Sequence, residues 1–326
     1  MVESLKKYAY SEIFYSIQGE GKYTGVPTAW LRFFLCNLQC DGFGQKDPTD
    51  ESTYELPYLD FDPKSVNRIE DLPVWKFGCD SSYSWSSKFK HLQMRKNAVE
   101  ICDDIQASLS NEHNPTGVFR HPLSRQEQHM CFTGGEPLMK HGQDAIVAIM
   151  KEFKDRPGGP MVGMTTGTSF SKGSNQPEFI TFETNGTQPL SDEFVSYFKN
   201  RGNFAGEVFF SISPKLFTVS GEKADKAIKP EVVKQYNDLS GAGQLKFVIG
   251  ADPRSWEEMD KVIAEFRAAG VEYPVYIMPV GATEEGQAGE YGSHASAGKV
   301  AEMAYQRGYN VSARVHVYLW GNLIGV

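Results

Sequence analysis

Short apolar runs, each bounded by Gly, Pro or polar residues, recur along this chain at intervals that leave room for a helix between them. Residues 28–35, 129–133, 178–183, 207–213, 244–249, 274–280 and 311–319 are rich in β-branched and aromatic residues and read as buried strands. Between them the period lengthens to that of a helix. The clearest case begins at Ser255, with Glu258 three residues on as a capping box. Met259, Val262, Ile263 and Phe266 then form one apolar face, and Gly270 supplies the stop. Further helices are expected over residues 143–153 and 295–307, the second stopped by Gly308. Strand–helix alternation at this spacing predicts an α/β fold with a parallel sheet, because parallel neighbours need crossover connections. Periodicity does not say whether that sheet is open or curls into a barrel. Three stretches break the pattern and read as loops added to the core. Residues 41–77 are rich in Pro, Asp and Tyr, 116–128 are mostly polar, and 156–176 are rich in Gly, Ser and Thr.

The 326 residues suffice for one full-sized α/β domain spanning the chain, with 41–77 as an insertion. Hydrophobic residues make up 40% and charged residues 23%, the balance of a soluble globular protein. A net charge of -8 gives no general electrostatic ground for binding nucleic acid. No apolar run approaches membrane-spanning length, and the first seven residues lack the apolar stretch of a signal peptide. Five cysteines, an odd number, two close together and three dispersed, do not form a secreted disulfide framework. The expectation is a cytoplasmic protein that uses thiolates for metal.

Cys36 and Cys40 are spaced C-x3-C, and 38 residues separate Cys40 from Cys79. Three thiolates without a fourth suit a 4Fe–4S cluster with one iron left open. They equally suit a structural zinc site completed by Cys102, Cys131 or a histidine. Spacing does not choose between the two, although Cys102, on an apolar helix face, and Cys131, in a strand, read as core thiols. The run Thr133-Gly134-Gly135-Glu136-Pro137 follows a strand, and its glycines let backbone approach a ligand closely. Gln18 and Glu20 occupy a glycine-containing loop, where an amide and a carboxylate can read the donors and acceptors of a heterocycle. Arg32 interrupts the apolar stretch Trp30-Leu31-Arg32-Phe33-Phe34. It needs either a charged ligand or an internal salt bridge.

These residues stand in a recognisable order. Glu12 to Gly21, Gly25-Val26-Pro27, Leu31-Arg32-Phe33, Cys36-Asn37-Leu38-Gln39-Cys40, Cys79 to Trp85, Thr133 to Leu138, Phe182 to Thr187, Ser213-Pro214-Lys215 and Leu245 to Ile249 follow one another from near residue 12 towards the C-terminus. In that order the sequence resembles the radical S-adenosylmethionine superfamily, and within it the 7-carboxy-7-deazaguanine synthase family. The family's usual spacing is C-x3-C-x2-C, so the gap here is 36 residues longer, and Phe43 occupies the place of the third cysteine. Cys79 is the better third ligand because Asp80-Ser81 follows it, as Asp-Thr follows the last cysteine of the family.

The resemblance implies a partial six-stranded (β/α)6 barrel with an enlarged cluster loop. It implies ring contraction of 6-carboxy-5,6,7,8-tetrahydropterin to 7-carboxy-7-deazaguanine with release of ammonia, in 7-deazapurine (queuosine) biosynthesis. Cys36, Cys40 and Cys79 would hold the cluster. Asp80, Gly134, Gly135, Glu136, Glu183, Ser213, Pro214 and Lys215 would bind S-adenosylmethionine. Ile17, Gln18, Gly19, Glu20, Arg32, Thr133, His316 and the terminal Val326 would contact the pterin, Arg32 through its carboxylate. Ser81, in place of a threonine, would help coordinate magnesium. An electron donor such as flavodoxin or ferredoxin and a homodimer are also implied. The competing readings are another radical enzyme, such as a glycyl-radical activase, and a non-catalytic zinc-binding module.

Overall fold

The computed structural model describes residues 6–158, 160–162, 169–171, 174–283, 297–321 and 323–325. Its strands are β1 (Tyr8–Ile17), β2 (Pro27–Phe33), β3 (Met94–Lys96), β4 (His129–Gly134), β5 (Pro160–Val162), β6 (Ser169–Ser171), β7 (Phe179–Thr184), β8 (Glu207–Ile212), β9 (Gly243–Ile249), β10 (Val275–Pro279) and β11 (Asn310–Val311). Nine of them form one sheet in the order β11-β10-β9-β8-β7-β4-β2-β1-β3. From β2 through β11 the neighbours run parallel, while β1 is antiparallel to both β2 and β3. The fold is therefore mixed α/β with a large, mostly parallel sheet that ends at β11 and β3 without closing. Among the described residues no helix is long and apolar enough to cross a membrane.

Register sorts the side chains onto two faces. Phe33, Phe132, Phe182, Phe210 and, from the helix Pro230–Leu239, Tyr236 stack from neighbour to neighbour with centroids 6.2, 5.7, 5.4 and 4.8 Å apart. This face is covered by the helices Ala98–Leu109, Lys140–Asp155, Asp192–Lys199, Pro230–Leu239, Pro253–Ala268 and Ala297–Gln306, whose apolar stripes join one core. Alternate residues of these strands (Trp30, Arg32, Thr133 and Glu183), with Lys246 of β9 and Met278 of β10, turn to the opposite face and line a cavity. A strand's period of two thus sets the core and the site back to back.

Every expected strand except the last coincides with an observed one to within two residues. The exception is 311–319. There the strand stops after Val311, and Val315–Trp320 is a single short helix ended by Gly321 at φ 63°. Ser312 still bonds to β10, its N–H donating to the Ile277 carbonyl, while its Oγ accepts from the Gly21 N–H, and the chain turns away after it. Tertiary contacts override the β-branched pattern here. A second correction concerns the expected capping box. The helix begins at Pro253 with Asp252 as its cap, and Ser255 is buried in its first turn. Glu258 instead accepts from the N–H groups of Phe217 and Thr218, at 2.7 and 2.9 Å. Asp-Pro at the two leading positions is the stronger start signal.

The 41–77 insertion is not an open loop. It folds through short turns around a second apolar cluster of Tyr58, Ile69, Leu72 and Trp75, shared with Tyr83, Phe89 and Leu92 of the following segment. Residues 156–176 carry the small β5–β6 hairpin.

Candidate active site

The chain leaves β2 in a strained turn. Leu35 (φ 90°) and Cys40 (φ 58°) are non-glycine residues in the left-handed region, a cost sustained only where the surroundings fix it. The Leu35 N–H donates to the Ser84 carbonyl at 2.8 Å, and its own carbonyl accepts from the Glu136 N–H at 2.9 Å. The segment after Cys79 and the Gly-Gly-Glu-Pro run therefore grip the turn from both sides. Glu222 Oε1 accepts from the N–H groups of Gln39 and Cys40 at 2.6 and 2.9 Å, and Asn185 Nδ2 donates to Asn37 Oδ1 at 3.0 Å.

The insertion closes on itself at its base. The Gly78 N–H donates to the Phe43 carbonyl at 2.8 Å, which returns Cys79 to the side of Cys40. Cys36, Cys40 and Cys79 then pack in one small cluster with Leu38, Phe43 and Ala227, and all three line a cavity of about 320 Å³. Phe43, standing where an uninterrupted motif would put its cysteine, is packing. Burial raises the pKa of all three thiols, Cys36 to about 12. Thiols so placed ionise only when a metal draws off their protons. Cys102 and Cys131 lie elsewhere, both fully buried and outside the cavity wall, with Cys102 Sγ donating to the Ile149 carbonyl. Neither can complete a zinc site with the three. Among the described residues no group of His, Cys, Asp and Glu is arranged to hold a metal ion. A cluster spreads its thiolates over separate irons and does not require that arrangement.

Gly134 and Gly135 form the facing wall. Gly134 has φ 147°, and a Cβ on Gly135 would run into the Leu35 carbonyl and the Cys36 Cβ. Glu136 and Pro214 are not in the wall. Glu136 is fully buried and accepts from Thr184 Oγ1, the Asn185 N–H and the Leu138 N–H at 2.8, 2.7 and 2.9 Å. Burial pushes its carboxyl up to about 7 against the pull of those donors. It ties β4 to the end of β7. Lys215 Nζ donates to Ser213 Oγ at 2.8 Å, and both residues line the cavity.

A chain of charges also lines the cavity and reaches Asp80, next to Cys79. Lys246 Nζ lies 2.6 Å from Glu20 Oε2 and 2.9 Å from Glu183 Oε2, and Gln18 Nε2 donates to Glu183 Oε1 at 3.0 Å. Arg314 joins Glu20 Oε1 at 2.9 Å to Asp80 Oδ2 at 2.8 Å. Burial alone would raise the Glu20 carboxyl, but Lys246 and Arg314 outweigh it and hold Glu20 well below the usual range. Asp80 is lowered too, burial being outweighed chiefly by Arg314. Arg32 pairs with Glu12 Oε1 at 2.5 Å, and Tyr83 donates to the same oxygen at 2.9 Å. The internal salt bridge is therefore present, and Arg32 still faces the cavity.

Ile17, Gly19, Ser81, Thr133 and His316 also line the cavity, and Ser81 Oγ stands 3.6 Å from Cys79 Sγ. His316 lies on the short C-terminal helix, not in a strand, with its ring against Gly19; burial lowers its pKa. Val326 lies outside the described residues.

No protein-family model matches the chain. A 7-carboxy-7-deazaguanine synthase of Halobacterium salinarum is 27% identical over 96% of this chain and 90% of its own length. One from Rhodopirellula baltica is 24% identical over 97% and 87%. One from Bacteroides thetaiotaomicron is 60% identical over a 30-residue stretch, 9% of this chain and 16% of its own. The chain is a relative of the 7-carboxy-7-deazaguanine synthases. The solved structure of QueE from Escherichia coli covers 95% of each chain with a TM-score of 0.47 and 16% identity, too distant to bear on the chemistry.

Against these synthases, four cavity or support residues were not singled out by sequence reasoning: Lys246, Arg314, Asn185 and Glu222. The first offered a signal, a lysine inside the apolar run Leu245-Lys246-Phe247-Val248, of the same kind that drew attention to Arg32. Glu222 lies in a stretch without period or motif, and Arg314 lies in the stretch read as a strand, where nothing marks it out. Their roles depend on contacts across more than 180 positions of sequence.

Proposed function

We infer that the chain is a 7-carboxy-7-deazaguanine synthase, contracting 6-carboxy-5,6,7,8-tetrahydropterin to 7-carboxy-7-deazaguanine with release of ammonia. The observation that carries this reading is the convergence of Cys36, Cys40 and Cys79 in one cluster on the cavity despite the 38-residue gap, in a cavity also lined by paired charges. In it the three thiolates hold a 4Fe–4S cluster. Gly134, Gly135, Glu183, Ser213 and Lys215 take S-adenosylmethionine, Asp80 stands beside them, and Glu136 and Pro214 shape that side from behind the wall. When bound, cluster and S-adenosylmethionine supply reductive radical chemistry that no side chain here can perform.

The rest of the work falls to the chain's own residues. Glu20, kept ionised by Lys246 and Arg314, accepts from the amino-pyrimidinone edge of the pterin, and Gln18 offers an amide beside it. Arg32 uses Nε on Glu12 and has further guanidinium N–H groups for the substrate carboxylate. Ile17, Gly19, Thr133 and His316 bound the same space, with Val326 as a further contact carried by the family resemblance. The aromatic walls Phe14, Trp30 and Tyr83 exclude water. Ser81 is the magnesium residue of this reading, supported by its hydroxyl in the cavity beside Cys79 and by the preference of magnesium for oxygen donors. A flavodoxin- or ferredoxin-type donor, a homodimer, a single domain and a cytoplasmic location belong to the same proposal.

The test is anaerobic reconstitution with iron and sulfide, followed by the tetrahydropterin, S-adenosylmethionine, magnesium and a reductant. Formation of 7-carboxy-7-deazaguanine is expected. A protein that carries its cluster, cleaves S-adenosylmethionine and leaves the pterin unchanged would overturn the assignment of substrate.

A further inference from the structure

The insertion and the C-terminal tail meet. Ile324 packs against the second apolar cluster, whose members from the insertion are Tyr58, Ile69, Leu72 and Trp75. The neighbouring Gly325 lies along the Glu70 side chain. Leu323, Ile324 and Gly325 also line the cavity, to whose lining the insertion contributes Phe43, Gly44 and Lys76. The tail has few other holds. After the Gly321 cap, among the described residues, the tail backbone donates from the Leu323 N–H to the Trp320 carbonyl at 3.3 Å, and Leu323 is 61% exposed. The same cluster supports Tyr83 and Trp85, which line the cavity beside Arg32 and Cys79.

We propose that the 41–77 insertion is a clasp that fixes the C-terminal tail as one wall of the substrate cavity, with Ile324 as the positioning residue through which it acts. This rests on the functional reading above for the identity of the ligand, but the contact itself does not depend on it. A segment whose apolar side chain sits in a cluster keeps its place along a cavity only while that cluster is formed. Burying Ile324 sets the tail in place before the substrate arrives, so less ordering cost is drawn from binding. The insertion then does two things from one core: it brings Cys79 back beside Cys40, and it holds the tail across the opening.

The experiment compares the reconstituted wild-type enzyme with Ile324→Ala, Trp75→Ala and the double variant. Iron content, KM for the tetrahydropterin, kcat, and hydrogen exchange of the C-terminal amides in the absence of substrate are measured. Ile324→Ala is expected to raise KM about tenfold with a smaller change in kcat and no loss of iron. Both single variants should speed exchange over 315–325, and the double variant should exceed the worse single by little, because both break one contact. Should Trp75→Ala fail to fold, Leu72→Ala takes its place. An unchanged KM and unchanged exchange in Ile324→Ala would overturn the clasp, as would additive effects in the double variant. Loss of the electron donor's turnover with KM and exchange intact would overturn it in favour of partner docking. A wild-type enzyme that makes no product would count against the substrate, while the exchange result would still decide the clasp.

Discussion

The two larger apolar clusters among the described residues are built from the same kinds of side chain and hold the site in different ways. Under the sheet, Phe33, Phe132, Phe182 and Phe210 stack at the spacing of parallel strands, so backbone ladders and side chains fix each other. In the insertion, Phe61 meets Trp75 edge-on at 5.4 Å and Tyr58 meets Trp85 at 5.7 Å, with no strand beneath them. The first cluster sets Arg32, Thr133, Glu183 and Lys246 on the reverse of its own strands. The second sets Cys79, Tyr83 and the tail from the side. Chemistry-bearing residues on the sheet inherit its rigidity. Those on the insertion depend on a separate cluster, which is expected to open at a lower cost than the sheet.

The contrast is broken most directly at Phe182, which is fully buried at the centre of the sheet. Phe182→Ala is expected to cost about 3–5 kcal/mol in denaturant unfolding, since it leaves a cavity between two neighbouring rings. Trp75→Ala should leave the global midpoint far less changed while loosening residues 41–92 in hydrogen exchange. Equal global losses would mean that the two clusters form one cooperative unit. Lys246→Met tests the cavity face of the same sheet. Removing the cation leaves half-buried Glu183 without its lysine and half-buried Glu20 with Arg314 alone, at a cost of about 1–3 kcal/mol, with pterin binding lost. Unchanged stability would show those carboxylates to be solvated.

A pH measurement sharpens the same comparison. His129 opens β4 between Phe179 and Tyr23, and burial lowers its pKa to about 4 from the ordinary 6.5. The folded state favours the neutral ring, so this stability is present above pH 6.5 and is lost as pH falls towards 4. It amounts to at most about 3 kcal/mol. His129→Phe should flatten unfolding free energy over that window. A wild-type profile that stays flat there would place the titration elsewhere. Gly135→Ala is expected to cost about 1–3 kcal/mol of stability, because the Leu35 turn must shift to admit a methyl group. Its consequence should appear as weaker S-adenosylmethionine binding in equilibrium dialysis.

The sheet was legible in the sequence because a parallel strand needs only its own five to seven residues to declare itself. The insertion was not, because Tyr58, Ile69, Leu72 and Trp75 follow no period and meet only through turns. The strand expected at 311–319 failed for a related reason. Val311 and Val315 carry strand propensity, but Arg314 is drawn into an ion pair with Glu20 and Asp80, and the chain turns to deliver it. At the site, Cys36, Gln18, Glu20 and Arg32 stand in contiguous motifs and were visible one by one. Arg314 and Glu222 acquire meaning only from partners far away in sequence.

The central claim is that Cys79, carried back by the insertion, completes the thiolate set with Cys36 and Cys40. It is tested most directly by anaerobic reconstitution of Cys79→Ala beside Cys102→Ala, reading iron, sulfide and the visible absorption of each. The account predicts that Cys102→Ala matches the wild type, with about four irons per chain, and that Cys79→Ala loses the chromophore and its iron. A Cys79→Ala protein that still assembles the full cluster would contradict it.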